Sequence, residues 1–442
     1  MRVVIENIVS LNVGDAAILQ AMMHILRGEF GQDTQFVVFD RDPEAAAKYF
    51  PKVDFRRHVS ELLTIPRLST RVFGKSWAVR LRRNAERVMR AEFRRVANSV
   101  ARGGAPKSPL FGKALTDNIE AYRKADLVVS SGGTYLVEHY PLEQKLAELE
   151  KDLRLGKPLV FFTQSLGPFL DPNNRARLRK IFGAAKLVLV REPRSRDHII
   201  DLGLSGDNVY VVADSVFALA DPAALASATL PSRSTGRKRV AISVRDWPHF
   251  VGRSPAEGMA AYEEAIGAAT AWLVDGYDAD VVFLSTCQGI AEYPYDDSAT
   301  AKRIVDRLPK PIQDRVEIDT AFHAPDELLA MVAGFDFVIS TRMHMGILAL
   351  CAGVPVLPIA YEFKITELFE SVGQRQWVSE IESIDPPSFL ALIERFSAGL
   401  DSYCAAVFPE IVRLSASASS AGGLTRAALA ATEFGSAPKV PS

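Results

Sequence analysis

Short runs of β-branched and other apolar residues recur along this 442-residue chain, each followed by a longer stretch with helical spacing. They fall at Arg2–Ile8, Gln35–Phe39, Leu127–Ser130, Leu159–Thr163, Leu187–Val190 and Val209–Val212. After a break they resume at Arg239–Val244, Val281–Ser285, Phe335–Ser340 and Val354–Ile359. Several are apolar throughout rather than alternating, which is the pattern of parallel strands buried on both faces. Strand then helix, repeated, specifies a doubly wound α/β architecture. The length is too great for one ordinary core and suits two. The break, DPAALASATLPSRSTGRK at Asp221–Lys238, is rich in Ala, Ser, Thr and Pro and reads as a linker. We therefore expect a Rossmann-like domain over 1–222 with a basic helical insertion over 67–113, a linker over 223–238 and a second Rossmann-like domain over 239–385. Helices over 386–434 and a disordered tail over 435–442 complete the expectation. Two such domains make a cleft, and ligands of open α/β sheets sit beyond the carboxyl ends of the strands, so the chemistry is expected there.

The net charge of −1 supplies no general field toward nucleic acid or membrane. With 48% hydrophobic and 24% charged residues the chain has the balance of a folded globular protein. No apolar stretch reaches the roughly 18 residues of a bilayer span. The N-terminal apolar run is too short and interrupted for a signal peptide. Cys287, Cys351 and Cys404 are widely spaced, with no metal-ligand pattern and an odd count for a disulfide framework. A reducing cytosol is the expected location. One segment departs from this even balance. Between Arg67 and Lys107 there are twelve Lys or Arg and two acids, Glu86 and Glu92. Trp77, Val79, Leu81, Val88, Met89, Phe93 and Val96 interleave with the arginines. Two readings stand: a helix packed on its domain with a solvated basic face, or a basic amphipathic helix on an anionic membrane, with the protein peripheral at its inner face.

Polar residues cluster in the loops after the strands. Asn12-Val13-Gly14-Asp15 lies between the first strand and a helix expected from about Ala16. Gly14 permits close approach of backbone to a ligand. Asp15 is placed either to cap the helix or to present a carboxylate to the cleft. Ser130-Ser131-Gly132-Gly133-Thr134 follows LVV. Its glycine pair suits a plain turn or amides offered to an anion or sugar. His139, six residues on from Gly133, reads as a lone surface histidine. Gln164 and Ser165 follow the strand at Leu159–Thr163. Arg191 directly follows LVLV, so it must pair with an acid such as Glu192 or reach into the cleft, where a guanidinium fork matches phosphate and carboxylate. The strongest constellation is Ser340-Thr341-Arg342-Met343-His344-Met345-Gly346, between the strand FDFVIS and the apolar helix ILALCAG. A strand-to-helix turn offers amides to an anion. Arg342 suits a phosphate or carboxylate there, and histidine is the side chain that commonly moves protons near neutrality. The plain alternative is a set of structural hydrogen bonds at a helix start.

Six blocks in this order resemble the polysaccharide pyruvyl transferase family, most of all its colanic-acid and amylovoran branch. They are NVGDAAIL at Asn12–Leu19, LVVSSGGTYL at Leu127–Leu136, TQSLGPF at Thr163–Phe169, LVREPRS at Leu189–Ser195, VVADSVF at Val211–Phe217 and STRMHMGILALCAGVPVLPIAYEFK at Ser340–Lys364. The resemblance implies two Rossmann-like domains arranged as in GT-B glycosyltransferases. It implies phosphoenolpyruvate as donor, a glycan acceptor (lipid-linked or part of an exopolysaccharide), no cofactor and no metal. The family's Arg-x-His element falls on Arg342 and His344, its arginine after the LV strand on Arg191 and its NxGD aspartate on Asp15. Met343 stands where leucine is usual, and Thr134 where glycine is common. From these come the expected roles: His344 moves a proton, Asp15 acts as base, and Arg342 and Arg191 hold anions. Asn12, Gly14, Gly132, Gly133, Gln164, Ser165 and His139 are expected to line the substrate. Two other classes remain open: a nucleotide-sugar glycosyltransferase, in which Glu362 after PVLPIAY would meet the ribose, and a non-catalytic glycan-assembly protein. A dinucleotide oxidoreductase is disfavoured, because the loop after the first strand, SLNVGD, has no G-x-G-x-x-G.

Overall fold

The structure, a computed structural model, describes residues 1–64, 75–138, 140–227 and 237–431. The expected positions Arg67, His139, most of the linker and the tail over 435–442 lie outside the described residues. Contacts divide the chain into two units. The first comprises Met1–Ser10, Met22–Asp214 and the described residues from Ser419 on. The second comprises Leu11–Ala21 and Ser215–Ala418. The division thus falls at Asp214, ahead of the expected linker. The 3-10 turn Ser215–Leu219 is buried in the second unit, where the Cys351 thiol donates to the Val216 carbonyl. The stretch read as strandless linker begins with a short helix, Pro222–Ser227.

The first unit is built on a parallel sheet in the order β3-β2-β1-β4-β6-β7-β8, with β5 pairing off β6. These strands are β1 (Arg2–Glu6), β2 (Gln35–Asp40), β3 (Asp54–Arg57), β4 (Leu127–Ser130), β5 (Gly133–Leu136), β6 (Leu159–Leu166), β7 (Leu187–Val190) and β8 (Val209–Val211). The central run is fixed by register pairs such as Val3 with both Phe36 and Leu127. Strands β4, β6 and β7 are buried at every residue, as their apolar runs LVV, LVFF and LVLV lead one to expect. The glycine pair is not a plain turn: Gly133 opens β5 with φ +119°, and a β-carbon there would come within 2.7 Å of the Tyr135 ring. Only glycine accepts both conditions. The basic segment forms a helix over Lys75–Ala101. Its Phe93, Val96, Ala97 and Val100 are buried in the core of this unit with Phe39, Tyr122 and Leu149.

The second unit carries a parallel sheet in the order β11-β10-β9-β12-β13-β14. Its strands are β9 (Lys238–Ser243), β10 (Ala279–Phe283), β11 (Val316–Ile318), β12 (Phe337–Ser340), β13 (Val356–Ala360) and β14 (Ser379–Glu380). The helix Pro255–Asp275 buries Tyr262, Ile266, Ala269 and Leu273. It starts in a capping box: the Ser254 hydroxyl accepts from the Glu257 amide, and the Glu257 carboxylate accepts from the Ser254 amide. The helical C-terminal region is two helices, Pro386–Ala398 and Leu400–Ala430. Phe396 of the first lies 5.5 Å from Phe337 and 5.1 Å from Tyr403, ring to ring, and the Tyr403 hydroxyl donates to the Val356 carbonyl at 3.1 Å. Both sheets therefore place their strand carboxyl ends, and the loops that follow them, where side chains can collect without breaking a ladder.

Candidate active site

In the second unit the loop after β10 and the helix start after β12 meet the segment Leu11–Ala21. The Val13 amide donates to the Thr286 carbonyl at 3.0 Å and so ties that segment to the loop after β10. The helix Val13–Phe30 begins three residues earlier than its sequence suggests. The capping role consequently belongs to Asn12, whose side-chain oxygen accepts from the Gly14 amide at 2.9 Å and whose carbonyl accepts from Ala16 at 2.8 Å. Asp15 is not the cap. It lies in the first helical turn, where the helix dipole favours a carboxylate.

Arg342 sits just before the helix Met343–Cys351, and His344 is in that helix's first turn. The Arg342 guanidinium is largely buried and held in a fork by Asp297: Nε donates to Oδ2 at 2.8 Å and Nη2 to Oδ1 at 2.6 Å. Asp297 also accepts from the Ser285 hydroxyl, and its own amide donates to the Cys287 carbonyl. Burial disfavours the Arg342 charge, but the Asp297 carboxylate more than offsets it and holds the guanidinium firmly protonated. The fork leaves Nη1 outside the pair, so one edge of a fixed cation remains for another anion.

His344 packs against the start of the helix Val13–Phe30. A β-carbon on Gly14 would lie 2.9 Å from its Nδ1 and 3.0 Å from its Cβ. The glycine of the NxGD block is thus required by a close approach of protein to protein. Cys287 and Tyr293 complete the surroundings. Burial pushes the Cys287 thiol up to about 12, against the pull of Arg342 and with a push from Asp297 and Asp15. Burial likewise raises the Tyr293 hydroxyl, with Cys287 and Asp15 adding and Asn12 opposing. Beside them Arg245, just beyond β9, stacks its guanidinium 3.9 Å from the Tyr361 ring and 4.8 Å from that of Trp247. Glu362 pairs with Lys364 at 2.6 Å.

The remaining expected residues gather in the first unit. Arg191 is buried, and its acid partner is Asp214, not the adjacent Glu192. Its Nη2 also donates to Ser165 at 2.7 Å and to Thr134 at 3.0 Å. Glu192 instead accepts from the hydroxyls of Ser165 and Ser195. Gln164 is buried and its amide donates to the Ser130 hydroxyl at 2.9 Å and the Ser131 carbonyl at 2.7 Å, tying β6 to the loop that contains Gly132. Each unit thus carries one arginine, at a strand's carboxyl end, fixed by a buried aspartate.

Sequence reasoning missed Asp297, Ser285, Cys287 and Arg245. It also missed a buried cluster in the first unit. The Lys151 ammonium there donates to Glu6 and to the Tyr122 hydroxyl, and lies 3.0 Å from Glu148 and 3.2 Å from Asp152. Among the described residues Glu6, Glu148 and His58 are the group whose ligand atoms come within 4.8 Å of one another. The lysine already occupies that neighbourhood as counter-ion.

The two parallel sheets define an α/β protein of the GT-B fold. A UDP-N-acetylglucosamine 2-epimerase-like structure from Listeria monocytogenes superposes with a TM-score of 0.55 at 13% identity, covering 99% of this chain and 97% of that one. Anabaena Alr3699/HepE, solved with UDP-glucose, gives 0.53 at 12% identity, covering 99% and 100%. The chain belongs to the polysaccharide pyruvyl transferase family, whose model matches residues 12–362. The amylovoran biosynthesis protein AmsJ of Erwinia amylovora is 27% identical over 303 residues, covering 67% of this chain and 69% of AmsJ.

Proposed function

We propose that this chain transfers a pyruvyl group from phosphoenolpyruvate to a glycan and closes it as a cyclic ketal. The observation that carries this reading is the pairing of Arg342, fixed and charged by Asp297, with His344 seated on Gly14 beside Asp15. Phosphoenolpyruvate brings a carboxylate and a phosphate ester of an enol, whose CH₂ carbon reacts by accepting a proton. Arg342 holds one anionic group, with the amides at the start of the helix Met343–Cys351 beside it. His344 delivers a proton to the vinyl CH₂, which becomes a methyl group and leaves C2 electron-poor. One acceptor hydroxyl oxygen bonds to C2, and its proton passes to Asp15. The C2–O bond to phosphate then breaks, phosphate departs with the electron pair, and a second hydroxyl closes the ketal and releases its proton. Arg191 has the same kind of anchor in its own unit and keeps the anion contact that the family pattern gives it. The acceptor is a sugar of a surface polysaccharide or of its lipid-linked precursor.

The test is phosphate release from phosphoenolpyruvate with a panel of aryl glycosides and polyprenyl-linked sugars, for the wild type and His344→Ala. Acceptor-dependent release that the substitution lowers by roughly 10²-fold or more is expected. Release that survives the substitution removes His344 from the chemistry. No release, and no thermal shift with phosphoenolpyruvate but a shift with a nucleotide sugar, replaces the reading with a glycosyltransferase.

A further inference from the structure

The helix Lys75–Ala101 spends its apolar side and its basic side differently. Phe93, Val96, Ala97 and Val100 are buried in the first unit's core, and Met89 packs against it. Its two acids are used within the helix: Glu86 pairs with Arg82 at 3.0 Å and Glu92 with Arg95 at 2.6 Å. Five other arginines, Arg80, Arg83, Arg87, Arg90 and Arg94, are all exposed. Their spacing alternates three and four. At about 100° per residue they fall within an arc of about 80°, in a line about 21 Å long. Among the described residues none of the five makes an ion pair. Like charges at these spacings repel, so the stripe destabilises its own helix unless something anionic covers it. The core, not the stripe, holds the helix in place.

We infer that this arginine stripe is a docking surface for an anionic lipid bilayer. A row of guanidiniums offers forks for phosphate but no pocket that would select a shaped partner, and a fluid sheet of phosphate headgroups adapts to such a row. Val79 and Val88 are 53% and 56% exposed, while Phe93, Val96, Ala97 and Val100 are buried in the core and Met89 packs against it. Attachment is therefore electrostatic adsorption, not insertion of an amphipathic helix. This inference stands apart from the reaction assigned above and does not depend on it.

The experiment is co-sedimentation of the full chain with vesicles of phosphatidylcholine containing phosphatidylglycerol, and with phosphatidylcholine alone. Binding to the anionic vesicles alone is expected, and its loss near 1 M salt, where the screening length falls to about 3 Å. Arg87→Gln should weaken partitioning about fivefold, and the variant with all five arginines changed to glutamine should not sediment. Because these side chains make no ion pair among the described residues and repel one another, that variant should melt at or above the wild type, which separates lost binding from lost folding. Val88→Ala should bind as the wild type does. Equal binding to neutral vesicles, or full binding by the five-glutamine variant, overturns the inference. So does binding to heparin or single-stranded DNA with none to vesicles, which would assign the stripe to a different polyanion.

Discussion

Gly14→Ala separates the two things that the start of the helix Val13–Phe30 does. The new β-carbon would stand 2.9 Å from His344 Nδ1, 3.0 Å from its Cβ and 3.1 Å from Asn12 Oδ1. Ordinary contact begins near 3.4 Å, so the imidazole must retreat by about 0.5 Å and the capping amide by about 0.3 Å. The backbone at Gly14 is helical, and alanine is the better helix former by up to about 1 kcal/mol. That gain offsets much of the strain, so stability should change by less than about 1 kcal/mol. Catalysis has no such compensation. A misplacement of about 1 Å costs on the order of 10²-fold, and half that displacement should lower kcat by roughly tenfold. KM should change less, because Arg342 is held by Asp297 and not by Gly14. The assay is steady-state phosphate release, with a chemical denaturation curve and the His344 imidazole resonances alongside. Wild-type kcat together with unmoved imidazole resonances would refute the close packing from which the argument starts.

Asp297→Asn removes the charge that fixes Arg342 and leaves a buried guanidinium with a single neutral acceptor. It should destabilise the protein by about 3 kcal/mol and reduce turnover, and an unchanged denaturation midpoint would contradict the pairing. The cluster around Lys151 gives a pH dependence. Burial, with Glu148 adding and Lys151 opposing, pushes the Asp152 carboxyl up from its ordinary value to about 7. The folded state then holds this proton more tightly than the unfolded chain, so this group's contribution to stability falls as pH rises from about 4 to 7. Asp152→Asn should therefore gain on the order of 2 kcal/mol relative to the wild type between pH 5 and pH 8, and melts that stay parallel at both pH values would contradict it.

Most of the ten strands legible in the sequence are those that burial forces to be apolar, such as LVLV at Leu187–Val190, though the edge strand β8 is buried only at Val209. The four missed, β3, β5, β11 and β14, lie at sheet edges or off the main path and obey weaker demands. Strand β3 is Asp-Phe-Arg-Arg and pairs only with β2, so water satisfies what a neighbour does not. Strand β5 was concealed by Gly133, whose left-handed backbone resembles a turn until its pairing with Gln164 is seen. The site divides similarly. Arg342 and His344 were legible because a strand-to-helix turn is a local pattern. Asp297 was not, since it lies 45 residues away and only the fold brings it to the guanidinium. Arg191 shows the same limit: its neighbour Glu192 was the natural partner in sequence, but Asp214 has it in space. Arg245 could have been found, because it follows a buried strand as Arg191 does.

In the proposed reaction, Cys287 bears on which of two routes would lead to the ketal. A thiolate at this position, among Arg342, Asp297 and Asp15, would be a plausible nucleophile toward C2 of the donor, giving a covalent intermediate before the sugar attacks. Burial argues against it. Burial pushes the thiol up to about 12, with Asp297 and Asp15 adding, and so disfavours the thiolate. Arg342 pulls the other way, but burial outweighs it. The proposed reaction therefore runs by direct attack of the sugar hydroxyl, with Cys287 a small buried group near Arg342 and Asp297. Cys287→Ala should accordingly keep turnover within a few-fold of wild type, and iodoacetamide should inactivate the wild type slowly and without the saturation expected of an active-site thiolate. Loss of turnover by more than about 10²-fold in a well-folded Cys287→Ala protein would reverse the conclusion and make the covalent route the working mechanism.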